Sequence, residues 1–234
     1  MTTENHLVLG HGEVGQAVES VLEERNRVYI YDPAKGHIAF HGGLEFDWAH
    51  VAYPWHDGFA ETTLGYLKSF NAKRLMIHST VPIGTTREVA TRAEIPVVYS
   101  PVRGMHPRMH RFLLEFPKWY ACPHEQDADV AALFARNGMH GTKAPSYEAL
   151  EWMKLWETTS YSVSLAMWQE IERQAGSYDV RGGASKPEVL SALKSWLFEK
   201  RKVYDGDRGV VPVYDLAPGP IGGHCLVPNW ALMR

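Results

Sequence analysis

Residues 6–32 read HLVLGHGEVGQAVESVLEERNRVYIYD, and this stretch decides the fold. His6-Leu7-Val8-Leu9-Gly10 is short, apolar, partly β-branched and closed by a glycine, which predicts a buried parallel strand. From Gly12 to Glu24, Val14, Ala17, Val18, Val21 and Leu22 fall at helical spacing. Arg27 to Tyr31 then reads as a second strand, ending at Asp32-Pro33. Together they form a βαβ unit. Its first turn is Gly10-His11-Gly12-Glu13-Val14-Gly15, a G-x-G-x-x-G pattern, and Asp32 follows Gly10 by 22 positions, the place of the acid in the dinucleotide-binding fingerprint.

Each residue of that pattern has a physical task. Gly10 permits the tight turn, Gly12 lets the backbone approach a pyrophosphate, and Gly15 lets the helix pack on the strand. The helix N-terminus stabilises phosphate charge. Asp32 would accept hydrogen bonds from ribose hydroxyls and repel a 2′-phosphate, which points to NAD. The candidate cofactor-binding residues are Gly10, His11, Gly12, Glu13, Val14, Gly15, Asp32 and Pro33, joined at later strand ends by Tyr53, Pro54, Ser79 and Thr80. Two other readings share the pattern: a Rossmann-like sheet without a cofactor, and a methyltransferase binding a different adenosine ligand.

Further strands are predicted at 50–53, 74–78, 96–99 and 118–122, and helices at 59–70, 88–92 and 127–137. The alternation argues for an α/β fold, a parallel sheet covered on both faces. After Pro145 the pattern changes. Tyr147 to Gly176 is nearly free of glycine and proline and reads as one long helix, Pro187 to Lys202 as a shorter one, and the Gly/Pro-rich tail from Tyr204 as loop. The expected organisation is a Rossmann domain over residues 1–144 and a helical dimerisation and substrate region over 145–234. The long helix carries Trp152, Met153, Leu155, Trp156, Tyr161, Val163 and Trp168 around much of its circumference. A helix apolar on several faces needs several partners, which predicts a homodimer.

Composition narrows the class. The chain has 234 residues, 45% hydrophobic and 22% charged, with a net charge of −3. These are ordinary values for a soluble globular protein, and the charge offers no field to attract nucleic acid. The two cysteines, Cys122 and Cys225, make no disulfide framework, and a reducing compartment is the default. The first residues lack a signal-like region and no apolar run is long enough to span a bilayer. A cytoplasmic protein with a small-molecule substrate, and neither nucleic acid nor membrane as partner, is the expectation; no metal site is predicted.

Two further motifs fall at predicted strand ends, where open α/β sheets bind ligands. Residues 78–86 read HSTVPIGTT and residues 99–108 read YSPVRGMHPR. Hydroxyls in the first and cations in the second suit a polar or anionic ligand, with Arg103, His106 and Arg108 as candidate contacts. The plainer alternative is that the threonines cap a helix at Thr85 or Thr86 and the arginines are solvated.

Residues 218–229 read PGPIGGHCLVPN. In the order HSTVPIGTT, SPVRG, KLWETT and PGPIGGHCLVPN after a Rossmann fingerprint, the whole chain resembles the nucleotide-sugar dehydrogenases (the UDP-glucose and GDP-mannose dehydrogenase family). Members of that family oxidise a sugar alcohol to a carboxylate with two NAD, through a cysteine thiolate. The resemblance puts Cys225 at the nucleophile position, Lys154 at that of the family lysine and Thr80 at a site hydroxyl. The residues themselves agree on Cys225, a thiol beside His224 in a glycine-rich loop, and set Cys122 on a predicted strand as inert. Thr158, His224 and Asn229 join Arg103, His106 and Arg108 as candidate substrate contacts. Three positions depart from the family: Val102 stands for a glutamate, Thr158 for an asparagine and Asn229 for an aspartate. The family's second Rossmann-like domain would follow where this sequence stops at Arg234. The resemblance therefore implies NAD-dependent oxidation or reduction at a hydroxyl of a polar, anionic substrate, sugar-nucleotide-like or phosphorylated. Its alternative is a non-catalytic or regulatory NAD-binding protein derived from a dehydrogenase.

Overall fold

Leu7, Val8 and Leu9 are buried to 1% exposure or less, as a strand covered on both faces requires. They belong to the first strand of a computed structural model that describes residues 3–38, 43–104, 108–178, 185–203, 221 and 226–233. The chain divides into two compact units, Met1–Leu155 and Trp156–Leu232. The first contains β1 (Asn5–Leu9), α1 (Glu13–Leu22), β2 (Arg27–Tyr31), β3 (Glu45–Phe46), β4 (Trp48–Val51), α2 (Phe59–Ser69) and β5 (Asn71–Ala72). It continues with β6 (Leu75–Ile77), α3 (Thr85–Arg92), β7 (Val97–Tyr99), α4 (Met109–Glu115), β8 (Lys118–Tyr120), α5 (Asp127–Arg136) and β9 (Gly141–Lys143). Helix α6 (Tyr147–Tyr178) begins in the first unit and continues into the second, which also holds α7 (Lys186–Val203) and α8 (Leu226–Ala231).

The main sheet is parallel throughout, in the order β2-β1-β4-β6-β7. Period-two alternation sends Leu7, Leu9, Val51, Leu75 and Ile77 to one face, against Phe59, Val89 and Leu150 of α2, α3 and α6. Val8, Trp48, Met76 and Val98 point to the other, against Val18, Leu113 and Leu133 of α1, α4 and α5. After β2 the chain crosses β1 to reach β4. The order reverses there, and the crevice at the carboxyl ends of β1 and β4 is the topological switch point.

The expected βαβ opening, the parallel sheet and the long helix are present. The strand expected over 50–53 lies two residues earlier, because Ala52 and Tyr53 leave the sheet at the switch point. Helix α4 was not legible, since its seven residues are too few to establish a period. Part of the tail read as loop is helical: α8 carries Asn229, which is buried.

At the turn from β1 into α1, Gly10 and Gly15 are dictated by contact. Gly10 has φ +90°, and a Cβ there would lie 2.8 Å from the Tyr53 nitrogen. A Cβ on Gly15 would lie 2.0 Å from the Gly10 carbonyl oxygen. Gly12, between them, faces open space: a Cβ there meets nothing within 4 Å. Gly15→Ala is therefore expected to cost about 3 kcal/mol or more of stability, since backbone must move, and Gly12→Ala about 1 kcal/mol or less. Urea unfolding of the two variants checks the contrast.

Candidate functional site

The glycine loop, Tyr53 and Asp32 meet at the switch point. The Asp32 carboxylate accepts the backbone N–H of His11 through Oδ2 at 2.7 Å. Its Oδ1 has no partner among the described residues. From the turn Pro33–Lys35, Lys35 Nζ donates to the His11 carbonyl at 2.6 Å, and His11 Nε2 lies 2.6 Å from Glu19 Oε2. Both peptide groups of His11 are thus held, and the N-terminus of α1 opens beyond Gly12 with Glu13 in its first turn. Tyr31, Tyr53, Phe59, Tyr66 and Phe70 form an aromatic cluster beside the crevice, with Tyr53–Phe59 and Tyr31–Phe70 centroids 5.1 and 4.9 Å apart. The Tyr53 hydroxyl bonds Thr63 at 2.6 Å, and burial raises its pKa. Pro33 and Pro54 are exposed at the rim.

The second strand-end motif is tied to the first. Ser79 is buried and its hydroxyl donates to the Tyr53 carbonyl at 2.6 Å, so it links two loops of the crevice; Thr80 beside it is half-buried. The threonines do not cap α3 with their side chains. Its N-cap is Gly84, and the first turn is closed by Glu151, whose carboxylate accepts Gly84 N–H at 2.7 Å and Thr86 N–H at 2.8 Å. Glu151 has no solvent exposure, and burial pushes its pKa up. Sequence reasoning missed it, because a cap delivered from 65 residues away leaves no local signal. It anchors the start of α6, three residues before the half-buried Lys154, to the loop that carries Thr80.

In the third motif Val102 is buried in the core. The Arg103 guanidinium lies 5.2 Å from the Phe116 ring centroid, and Arg108 is exposed at the start of α4. His106, His224 and Cys225 lie outside the described residues. In the second unit Asn229 Nδ2 donates to Thr158 Oγ1 at 3.4 Å, so two candidate substrate residues are brought together. Cys122 donates to Asp127 at 3.5 Å, and burial with that carboxylate pushes the thiol up to about 12, an unreactive state.

Beneath this edge lies a polar assembly that the sequence reading did not single out. His6, His50 and His78 are buried on the α1–α4–α5 face, at 0%, 1% and 4% exposure. His6 Nδ1 and His50 Nε2 are 2.9 Å apart, His50 Nδ1 and His78 Nε2 are 3.0 Å apart, and His78 Nδ1 lies 2.9 Å from the Ser100 carbonyl. Lys118, also buried, donates to the carbonyls of Ser100 at 2.7 Å and Pro101 at 2.9 Å. Burial holds both His50 and His78 well below the ordinary imidazole range, and burial, with the Lys154 charge second, lowers Lys118.

Sheet order, glycine loop and strand-end acid define a Rossmann-like α/β protein. Solved structures share the fold, three of them as follows. A UDP-D-ManNAc dehydrogenase from Pyrococcus horikoshii matches with TM-score 0.75 and 18% identity over 98% of this chain and 63% of its own. A 3-hydroxyisobutyrate dehydrogenase from Mycobacterium tuberculosis, solved with L-serine, matches with TM-score 0.62 and 14% identity over 90% and 74%. A reductive aminase from Aspergillus terreus in complex with NADPH and ethyl levulinate matches with TM-score 0.53 and 16% identity over 86% and 75%. The present chain thus spans less than two thirds of the first. No family model matches the chain, and no curated protein matches it in sequence. At these identities the likeness is one of fold.

The buried imidazoles set a pH dependence. The folded protein keeps His50 and His78 neutral, while the unfolded chain takes up protons at the ordinary value near 6.5. Their contribution is complete above that value and is lost as pH falls below it, by about 1.4 kcal/mol per pH unit for each imidazole. Urea titrations between pH 7 and pH 5 are expected to show that loss, and in His50→Leu the slope is expected to shrink by one imidazole's share.

Proposed function

We propose that the chain is a nicotinamide-dependent oxidoreductase that uses NAD and acts on a hydroxyl, or the corresponding carbonyl, of a polar and anionic substrate. The observation that carries this reading is the crevice itself: a helix N-terminus with open space before Gly12, set beside an acid whose second oxygen is available. That donor set fits a dinucleotide. Backbone N–H groups of the α1 first turn would hold the pyrophosphate, and Asp32 Oδ1 would accept from the ribose. The aromatic cluster around Tyr31 and Tyr53 would flank the adenine side. When bound, the nicotinamide supplies the hydride acceptor or donor. Lys154 would hold or release the proton of the substrate oxygen, a role of about 10²–10⁴ in rate. Thr80 would orient that oxygen, and Arg103 and Arg108 would bind the anionic group. Cys225 keeps the nucleophile role that the resemblance implies. The dehydrogenases and reductases among the shared folds support the class.

One observation favours a second reading, an NAD-binding protein without full turnover. Val102 occupies the position at which the resemblance would supply a carboxylate, and its side chain packs into the core rather than toward a site. A thioester formed by a second hydride transfer needs a base for water to be hydrolysed; without one it would accumulate on the thiol, so under either reading repeated turnover is limited to the first hydride transfer.

Calorimetric titration is expected to show NAD(H) binding more tightly than NADP(H), with Asp32→Ala narrowing the difference. A panel of sugar nucleotides, sugar phosphates and hydroxy acids is expected to yield at most one NADH per substrate consumed. Tighter NADP(H) binding would sink the cofactor assignment, and two NADH per substrate would show that the full cysteine chemistry operates despite Val102.

The same reading includes a second copy of the chain. On α6, Trp156, Val163 and Met167 are exposed, and at about 100° per residue they fall within about 40° of one another on the helix. This apolar stripe suits an isologous contact. Light scattering at micromolar concentration is expected to give a dimer mass, and Val163→Glu with Met167→Glu a monomer.

A further inference from the structure

The three buried histidines stand one to a strand on β1, on β4 and just past β6. β1 and β4 align Val8 with His50, and β4 and β6 align His50 with Met76. Each imidazole is therefore displaced two residues toward the carboxyl edge relative to the one before. The ladder climbs diagonally, from Glu4 at the amino edge of the sheet to Ser100 and Pro101 beneath the candidate site. Adjacent rings are stacked, with centroids 5.2 Å apart at both steps and interplanar angles of 21° and 14°. Three aliphatic side chains would cover this face without needing an unbroken series of hydrogen bonds.

The hydrogen-bond polarity follows from one end. The Ser100 carbonyl can only accept, so His78 Nδ1 carries the proton. Being neutral, His78 accepts at Nε2 from His50 Nδ1–H, and His50 accepts at Nε2 from His6 Nδ1–H. That leaves His6 Nε2 buried without a hydrogen-bond partner among the described residues, 3.4 Å from Glu4 Oε2. The Glu4 side chain is 21% exposed and lies 2.9 Å from Arg136 Nη1 of α5. At the other end Lys118 donates only two N–H groups, to the Ser100 and Pro101 carbonyls, so in its neutral form the amine keeps a lone pair able to take a proton. His78 Nδ1 and Lys118 Nζ meet on the same carbonyl oxygen. A cavity of about 10 Å³ beside the ladder is lined by His50, His78 and Lys118 together with apolar side chains such as Val18, Leu113 and Leu133. The charged and titratable groups around the ladder are Glu4, Arg136, Asp47, Lys118 and Lys154.

We propose that Glu4, His6, His50, His78 and Lys118 form a proton conduit across the sheet, which delivers protons from the amino-edge surface to the floor of the candidate site. A proton reaching His6 Nε2 by way of the Glu4 carboxylate forms an N–H bond there, and the Nδ1–H of His6 passes to His50 Nε2. The Nδ1–H of His50 passes to His78 Nε2, and the Nδ1–H of His78 breaks as its proton forms a third N–H on Lys118. One proton enters and one leaves, each imidazole ends neutral in the opposite tautomer, and the conduit is reversible: a proton released at the inner end and relayed outward restores the starting tautomers. After discharge the His78 Nδ1 lone pair faces the Ser100 carbonyl. The loaded polarity has its own repulsion, between the His6 Nε2 lone pair and the Glu4 carboxylate, but that contact is 3.4 Å against 2.9 Å at Ser100, so the shorter contact decides and the resting conduit points inward. Its geometry stands without any assigned reaction; its use, to lend the proton consumed when a carbonyl is reduced and to take back the one released when a hydroxyl is oxidised, rests on the oxidoreductase reading.

The test needs neither substrate nor cofactor, so its failure is separable from failure of that reading. In protein labelled with ¹⁵N-histidine, the His78 ring N–H, assigned by its loss in His78→Asn, is expected on Nδ1. It should exchange with solvent at least tenfold faster than the core amides of β7. His50→Phe interrupts the conduit and is expected to slow that exchange at least tenfold. A ladder that only packs predicts the opposite, because His50→Phe would loosen the core and speed His78 exchange together with the β7 amides. Glu4→Gln, at a partly exposed position, is expected to slow exchange as well and serves if His50→Phe does not fold. The proposal is overturned by a ring proton on Nε2, by exchange that tracks the core amides in the wild type, or by a folded interrupted variant that does not slow it.

Discussion

The α1 helix can begin where it does only because Gly15 has no side chain. A single methyl group there would sit 2.0 Å from the Gly10 carbonyl, and on the other side of the loop a Cβ on Gly10 would strike Tyr53. This close approach of helix, loop and the end of β4 sets the mouth of the crevice. It aims the N-terminus of α1 at open space. It also brings the His11 peptide within reach of both Asp32 and Lys35, so the acid at the end of β2 is oriented by the same loop it would serve. Any volume added at Gly10 or Gly15 displaces all of these together.

The two faces of the sheet solve burial differently. One is apolar from Leu7 through Ile77 and needs no directional contacts. The other carries three imidazoles and a lysine among Val8, Trp48, Met76 and Val98. Buried polar groups are tolerable there because nearly every one is hydrogen-bonded, and the low dielectric that penalises an unpaired group strengthens those bonds. Of the nitrogens of these three imidazoles, His6 Nε2, at the end nearest the surface, has no hydrogen-bond partner among the described residues. Neutral imidazoles make the arrangement possible, since each ring offers one donor and one acceptor and the rings can be linked head to tail.

Glu151 does for the second motif what Gly15 does for the first. Its carboxylate replaces a local helix cap and joins α3 to α6, so the loop of Thr80 and the turn of Lys154 are positioned by one buried group. Val102 marks the contrast: a residue just past the carboxyl end of β7 whose side chain turns inward to the core.

Much of the frame was legible in the residues because it rests on local periodicity and on glycine spacing. The βαβ opening, the acid at the end of β2 and the long helix after Pro145 each leave a pattern within a few turns of chain, and that pattern is what places them. Short elements such as α4 and α8 leave too few residues to show a period. The Glu151 cap and the histidine ladder could not be read at all, since each joins residues dozens of positions apart. Glu151 looks like any helical glutamate, and His6, His50 and His78 look like isolated polar residues in apolar strands. Strand register alone puts the three rings on one face, and hydrogen-bond polarity exists only once the Ser100 carbonyl is placed at the end of the series. The sequence by itself determined the βαβ opening, the parallel sheet and the long helix, because each rests on local spacing. Only the tertiary structure decided which buried polar groups meet, because that depends on distances between strands that no local spacing encodes.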